Sequence, residues 1–389
     1  MTSAAKHRHV VTCLRLGSLA LLVLALTGCT TAVPDGGVSG LQALATTQPA
    51  GSGTAPPMLI ARPGKDASAA VAGLLKGPLS AENAVRIALL NNPGLQLSLA
   101  GEGVNITDSV SASPAKLRAA QDIAQLTHET RKAWINAVAA AQTERFMDEA
   151  RESAETAGEL ARRMARAGNW SKLQQAREQL LLAGATTQLA RARQAAFSER
   201  EKLVVVMGLW GTQADFILPD RLPDLPAKAE DMPDVESRVL QQRLDLRLAT
   251  AQWAGQRAIR PQPGADGLWD AMGDSARVRE LAVRARSEAR EAYHGYRSAY
   301  DLARHYQTEV MPLYRFIQDE TVLRYNGMLT SIFELLAGAR AQALAAADAI
   351  EAQRDFWLAE ADLQTVLAGA SPGPRTSASS GKTGAAAAH

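Results

Sequence analysis

The side chains of this 389-residue chain that could take part in chemistry are few, and they do not converge. A protein-held metal asks for His, Cys or carboxylate groups at short, repeated spacings. His128, His294 and His305 stand apart, with no such cluster around them. In "HGYRSAYDLARH" the two later histidines are eleven residues apart, a neighbouring-face coincidence on a helix rather than a ligand pair. Nucleophilic catalysis needs a nucleophile, a base and a group that orients the base, and no such set is visible. "GEGVNI" (101–106) lacks the third glycine of a dinucleotide loop and any strand before it. "GKT" (381–383) has no upstream glycine at phosphate-loop spacing. Glu152, Glu155 and Glu159 followed by Arg162, Arg163 and Arg166 read as a solvated helix face. The expectation is a protein that is not an enzyme and uses no cofactor or bound metal.

One residue does invite covalent chemistry. Lys6, Arg8 and Arg15 precede the apolar run "LGSLALLVLAL", which ends in "LTGC" at Leu26–Cys29. A basic segment, a short apolar segment and small residues make an export signal, too short for an ordinary spanning helix. The ending resembles the bacterial lipoprotein signal. That resemblance implies removal of residues 1–28 as a signal peptide, with Cys29 acylated (palmitate among the chains) as the new N-terminus. The formal charge of +2 then becomes 2 − 3 = −1, because three basic and no acidic residues leave. Cys13 leaves as well, so Cys29 is the only thiol and no intramolecular disulfide can form. Two or more acyl chains anchor a protein stably. Thr30 is not the Asp that commonly retains such lipoproteins at the inner membrane, so the expected address is the outer membrane, facing the periplasm. Near-balanced charge argues against a nucleic-acid partner.

Composition sets the elements around this anchor. Apolar residues make up 47% but aromatics only 5%, so Ala and Leu carry the hydrophobicity, which favours long helices over sheet. Residues 29–76 are rich in Ala, Gly, Thr, Pro and Ser and read as a flexible tether. Ser80 is the expected N-cap of a short helix that stops near Asn91–Pro93. Residues 98–116 read as irregular. From Leu117 to Ala167 there is no proline, and Met147, Ala150, Ala154, Ala157, Ala161 and Met164 make a heptad seam. The pattern breaks at "AGNWS" (167–171) and resumes as Leu173, Ala176, Leu180, Ala183, Thr187 and Ala190. Two long helices joined by a tight turn pack as an antiparallel hairpin.

After a Pro-punctuated linker at 211–233 the scheme repeats. "VESRVLQQRLDLRLATAQ" (235–252) mirrors the first short helix, and 257–275 reads as irregular. Ala289, Ala292, Tyr296, Ala299, Ala303, Tyr306 and Val310 form a second seam, with a kink expected at Pro312. "RYNGMLTS" (324–331) is the second turn, and Leu336, Ala339, Ala343, Ala346, Ile350, Gln353 and Trp357 return. "ETRKAW" (129–134) and "EAREAY" (288–293) mark the same place in the two copies. Two repeats are therefore expected, at 77–210 and 234–369, followed by a disordered tail at 370–389.

Those segments together resemble the outer-membrane efflux protein family of the TolC type. The likeness is carried by "LSAENAVRIALLNNPGLQ", "ETRKAWINAVAAAQ" and "MGLWGTQADFILPDRLPDLP" in the first half. In the second it is carried by "QQRLDLRLATAQ", "SEAREAYHGYRSAYDLARHY" and "RYNGMLTSIFELLAGAR". The wording is similar to that of lipoprotein members associated with heavy-metal or copper efflux; drug export is the other cargo class. The resemblance implies an all-α-dominated stave: two tandem antiparallel coiled-coil hairpins. Three copies would close into a homotrimeric ring of helices around a periplasmic conduit. Its tips would meet a periplasmic adaptor and an inner-membrane efflux pump. Gly168, Asn169 and Trp170, with Asn326, Gly327 and Phe333, take the place of tip or adaptor-contact residues. The alternative for each is structural, since Gly and Asn are common at helix ends and Trp and Phe in cores.

The sequence departs from the family where each repeat should carry a β-hairpin. A membrane-spanning strand needs about 9–11 residues of alternating character. "GEGVNITDSVSASPAK" offers at most one weak strand around Val104, Ile106 and Val110, with Asp108 inside it. "RAIRPQPGADGLWDAMGDSAR" has two prolines within three residues and no alternation. An incomplete sheet cannot cross a bilayer, because its unpaired backbone groups cost several kcal/mol each. A second reading follows: a barrel-less, lipid-anchored periplasmic scaffold derived from the same family.

Overall fold

The computed structural model describes residues 65–101, 114–259 and 265–373. The signal sequence, Cys29, most of the expected tether and the tail beyond Gly373 lie outside the described residues. Helix α1 spans Lys65–Leu74, α2 Ala81–Asn91 and α3 Pro93–Gly101. The long α4 covers Pro114–Arg166 and α5 Lys172–Met207. In the second half α6 is Val235–Gln242, α7 Leu244–Ile259 and α8 Ala265–His305. A π-helical turn at Tyr306–Val310 leads into α9, Met311–Asn326, and α10 spans Ile332–Leu367. Among the described residues there is no β-strand.

The long rods form where alanine and straight-chain residues run without proline, and α4 holds 53 residues in one piece. Pro114 opens it, where a missing N–H costs nothing, and Arg163 and Arg166 close it against the negative end of the helix dipole. α5 and α10 have 36 residues each, and each starts on a serine cap. Ser171 Oγ accepts from Gln174 N, and Gln174 Oε1 accepts in return from Ser171 N. Ser331 Oγ accepts from Glu334 N. Pro312 cannot donate to the turn before it, and the π-helical turn at 306–310 absorbs that break.

Four rods lie side by side in the order α5, α4, α10, α8–α9, so α10 of the second repeat packs on α4 of the first. α4 and α8–α9 run toward the turns; α5 and α10 run away from them, so neighbours alternate in direction. Alanine on the seams lets the backbones approach: Ala150, Ala154, Ala157 and Ala161 are buried on α4, and Ala285, Ala289, Ala292 and Ala303 on α8.

Several expectations need correction. The heptad Leu173, Ala176, Leu180, Ala183, Thr187 and Ala190 on α5 is exposed. The buried residues are Ala185, Leu189, Leu203 and Met207, with Leu182, Ala192 and Ala196 half-buried beside them. α5 carries two apolar stripes of the same period on opposite faces, and period alone does not say which one meets α4. The stretches 98–116 and 257–275 are each helical at both ends, the second at 257–259 and again from Ala265. The second short helix is two helices broken at Arg243, as the first is broken at Asn92. Residues at the end of the expected tether form α1, with Val71 buried in the core.

Each break in the short helices is the seat for a rod's end. Gly208 (φ +66) ends α5 against Asn91, whose side-chain amide donates to Gly208 O at 2.6 Å and Met207 O at 3.2 Å. Asn92 Nδ2 donates to Val206 O at 2.8 Å. Gly369 (φ +87) ends α10 against Gln242, and Leu244 N donates to Gly369 O at 2.9 Å. Carbonyls that a helix terminus leaves orphaned are satisfied there. The breaks are held too: Arg243, fully buried, pairs with Asp245 at 2.8 Å and with Glu288 on α8 at 2.6 Å.

The linker between repeats crosses all four rods. Arg200 on α5 donates to Ala214 O and Phe216 O and lies over the Phe216 ring at 4.2 Å. On α4, Arg145 donates to Asp220 O and Gln142 accepts from Leu222 N. On α10, Gln353 and Trp357 both donate to Pro223 O. On α8, Tyr300 donates to Ala227 O, and Tyr296 and Tyr293 accept from Glu230 N and Met232 N. The two marker motifs do matching work. Trp134 Nε1 donates to Leu79 O just before α2, while Tyr293 holds the backbone just before α6.

The glycine seats are testable. A Cβ on Gly208 would stand 2.6 Å from Asn91 O, and one on Gly369 2.1 Å from Gln242 O. Gly168, with similar φ, has nothing within 4 Å. Gly208→Ala and Gly369→Ala should each cost about 2–3 kcal/mol or more in urea unfolding. Gly168→Ala should cost only the left-handed penalty of about 1 kcal/mol.

Candidate docking tips and lateral edges

The six tip residues expected from the sequence gather at one end of the rods. Both turns are built alike: Asn169 N donates to Met164 O and Gly168 N to Ala165 O, while Leu329 N donates to Arg324 O and Met328 N to Tyr325 O. This pair of bonds needs a left-handed residue after the helix. In the first turn it is Gly168 (φ +77), exposed and followed by exposed Asn169. In the second it is Met328 (φ +58), not Gly327, whose φ is −80. Asn326 is the exposed last residue of α9.

Met328 was missed by reading glycine as the turn residue. Aligning the capping serines, Ser171 with Ser331, places Met328 opposite Gly168 and would have found it. A methionine in this conformation costs about 1–2 kcal/mol over glycine, and its side chain is 94% exposed, beside Leu329 at 80%. The second tip therefore presents apolar side chains where the first presents glycine and asparagine.

Trp170 and Phe333 do not both point outward. Their rings stack with centroids 4.1 Å apart and planes 25° from parallel, tying the first turn to the first residues of α10. About two turns above the first tip, Glu159 is set between Arg162 and Arg163, both at 2.9 Å. Its hydrogen bond from Arg163, then the charge of Arg162, holds the carboxyl below its usual value. Among the described residues no three His, Cys, Asp or Glu side chains form a metal-sized group. No described helix is long and apolar enough to cross a membrane.

The outer rods are the other feature of note. α5 exposes Leu173, Leu180, Phe197 and Val205 away from α4, and α8–α9 expose Leu302, Leu313, Phe316, Ile317 and Leu323. Apolar stripes of this length on both edges of one layer mark surfaces meant to be covered. The tip stack yields a prediction: in a double-mutant cycle, Trp170→Ala and Phe333→Ala should couple by about 0.5–1.5 kcal/mol in thermal or urea unfolding. Additive losses would mean the rings are independent.

No protein-family model matches the sequence, and no curated protein matches it. Solved structures do. The Campylobacter jejuni CmeC outer membrane channel superposes with a TM-score of 0.54 at 14% identity, over 77% of this chain and 70% of that one. The outer-membrane channel OprN gives 0.51 at 15% identity, over 74% and 70%. A structure of CusC, described in terms of folding and transmembrane channel formation, gives 0.50 at 13%, over 74% of this chain and 95% of that chain. Identity this low speaks for fold alone. With its paired hairpins, alternating rods and matched turns, the chain shares the helical fold of these channel structures.

Proposed function

We propose that the protein is a subunit of an efflux conduit: three copies close edge to edge into a ring of twelve rods in the periplasm, in the manner of outer-membrane efflux channels. The observation that carries this is the pair of exposed apolar edges on α5 and α8–α9. The direction of the rods supports it as well. A second copy that lays its α5 against α8–α9 continues the antiparallel alternation without a break. A contact between two different edges repeats from copy to copy and makes a ring where its rotation closes. On this reading the two repeats at 77–210 and 234–369 are quasi-equivalent staves, acylated Cys29 holds them to the outer membrane, and the tips reach a periplasmic adaptor and an inner-membrane pump. Two of the similar structures, CmeC and OprN, are outer-membrane channels, in keeping with that setting. Heavy-metal, copper or drug cargo remains the proposed range.

A second reading is favoured by one specific feature. The stretches that would have to hold the β-hairpins are residues 101–116, which offer at most one weak strand, and 257–277, which show no alternation. Two spanning strands need roughly twice 9–11 residues plus a turn. A lipid-held scaffold without its own membrane pore fits those sequences better than a closed barrel.

Two measurements decide. Full-length protein should sediment as a trimer, and Leu180→Glu combined with Phe316→Glu should shift it to monomer with unchanged helical circular dichroism. A wild-type monomer would end the ring proposal. Reconstituted in planar bilayers, a conduit with its own pore conducts. A well-folded trimer that does not conduct is the scaffold.

A further inference from the structure

The proposed ring has two kinds of seam, one inside a chain and one between copies, and the first is a template for the second. Inside the chain, α4 of the first repeat lies against α10 of the second. Between copies, α8–α9 of one second repeat would lie against α5 of the next first repeat. Both seams join a rod that runs toward the tips in one repeat to a rod that runs away from them in the other. What α4 and α10 do to each other therefore carries over, residue for residue, to α8–α9 and α5.

The numbering for that transfer is fixed by structure. α5 and α10 have 36 residues each and start on Ser171 and Ser331, so they correspond at an offset of 331 − 171 = 160. For the rods that run toward the tips, the matching turn bonds of Asn169 and Leu329 give the same offset, 329 − 169 = 160. Higher up, Trp134 and Tyr293 give 293 − 134 = 159. The π-helical turn at Tyr306–Val310 lies between those two points and takes up the one extra residue.

The offset sends covered residues of α10 to exposed ones of α5. Ile350, 4% exposed in the core that holds Val138 of α4, becomes exposed Ala190. Thr365, 7% exposed and bonded to His128 of α4, becomes Val205 at 72%. Phe333, stacked on Trp170, becomes Leu173 at 63%. The outer stripe of α5 is thus the counterpart of the stripe that α10 covers with α4.

Charge follows the same mapping. Inside the chain, Lys132 Nζ on α4 is 3.9 Å from Asp362 Oδ1 on α10. "ETRKAW" laid on "EAREAY" puts Glu291 in the place of Lys132, and the α5–α10 offset puts Lys202 in the place of Asp362. Both are exposed. The signs are exchanged on the two sides at once, so the pair stays opposite in charge, where a change on one side alone would set like charges together. Lys202 also meets Glu199 of its own helix at 2.7 Å, an exposed pair of the kind that contributes little.

We propose that copies of this chain dock through a charge-exchanged replica of the α4–α10 seam, in which Lys202 of one copy pairs with Glu291 of the next and α8–α9 covers Leu173, Ala190 and Val205. This rests on the ring reading above and names the groups that select a second copy as the occupant of the α5 edge.

The test uses the full-length chain in two independent ways. By sedimentation, Lys202→Glu and Glu291→Lys should each weaken the trimer about tenfold, and the two together should restore it to within about twofold of wild type, with helical circular dichroism unchanged. In wild type, a carbodiimide should join Lys202 to Glu291. The two stand on opposite edges of one chain, so that link forms only between copies. A wild-type trimer whose double variant is no tighter than either single, or whose carbodiimide links join Lys202 to other carboxylates alone, overturns the replica seam and leaves the ring standing. A wild-type monomer overturns both.

Discussion

A single layer of four rods has no interior of its own. Each inner rod can bury two flanks, but the outer two are left with one flank apiece, and hydrophobic burial stabilises only what it covers. α10 lies between α4 and α8–α9, while most of α5 is in contact with solvent. Alanine-lined seams make such a layer possible, since small side chains let helices sit close and parallel over many turns. They also make it thin. What holds the layer in register must therefore come from features that run across the rods.

Two such features are present. The linker between the repeats is a strap whose backbone groups are received in turn by Arg200, Gln142, Gln353 and Trp357, and Tyr300. Prolines spare it from joining any helix, and long polar side chains reaching up from the rods satisfy it. The glycine seats work at the ends of the rods, where Gly208 and Gly369 admit backbone contact that any side chain would block. Duplication preserved these jobs while changing the residues. Trp134 clamps through an indole N–H what Tyr293 clamps through a phenol, and Asn91 and Arg243 hold their breaks by different chemistry.

Much of this was legible in the sequence. Ser80 caps α2 where its position before a periodic run says it should, and the α4 and α8 seams are buried as their spacing requires. The hairpin tips follow from the break in period. The face that α5 turns to α4 was not legible, because the helix is apolar on two sides and only tertiary contact chooses between them. α3 was missed because Pro93 reads as a stop, although proline is equally at home at the first position of a new helix. Met328 was hidden by the adjacent glycine. The His128–Thr365 contact joins residues 237 apart and leaves no local trace.

The rods that approach the tips differ in length. The first is 53 residues in one piece, whereas the second runs through segments of 41, 5 and 16. With the tips level at the Trp170–Phe333 stack, the excess of roughly nine residues amounts to about 14 Å of extra height at the far end. Among the described residues, then, the second ascending rod reaches past the first, and the two repeats are not equal in height.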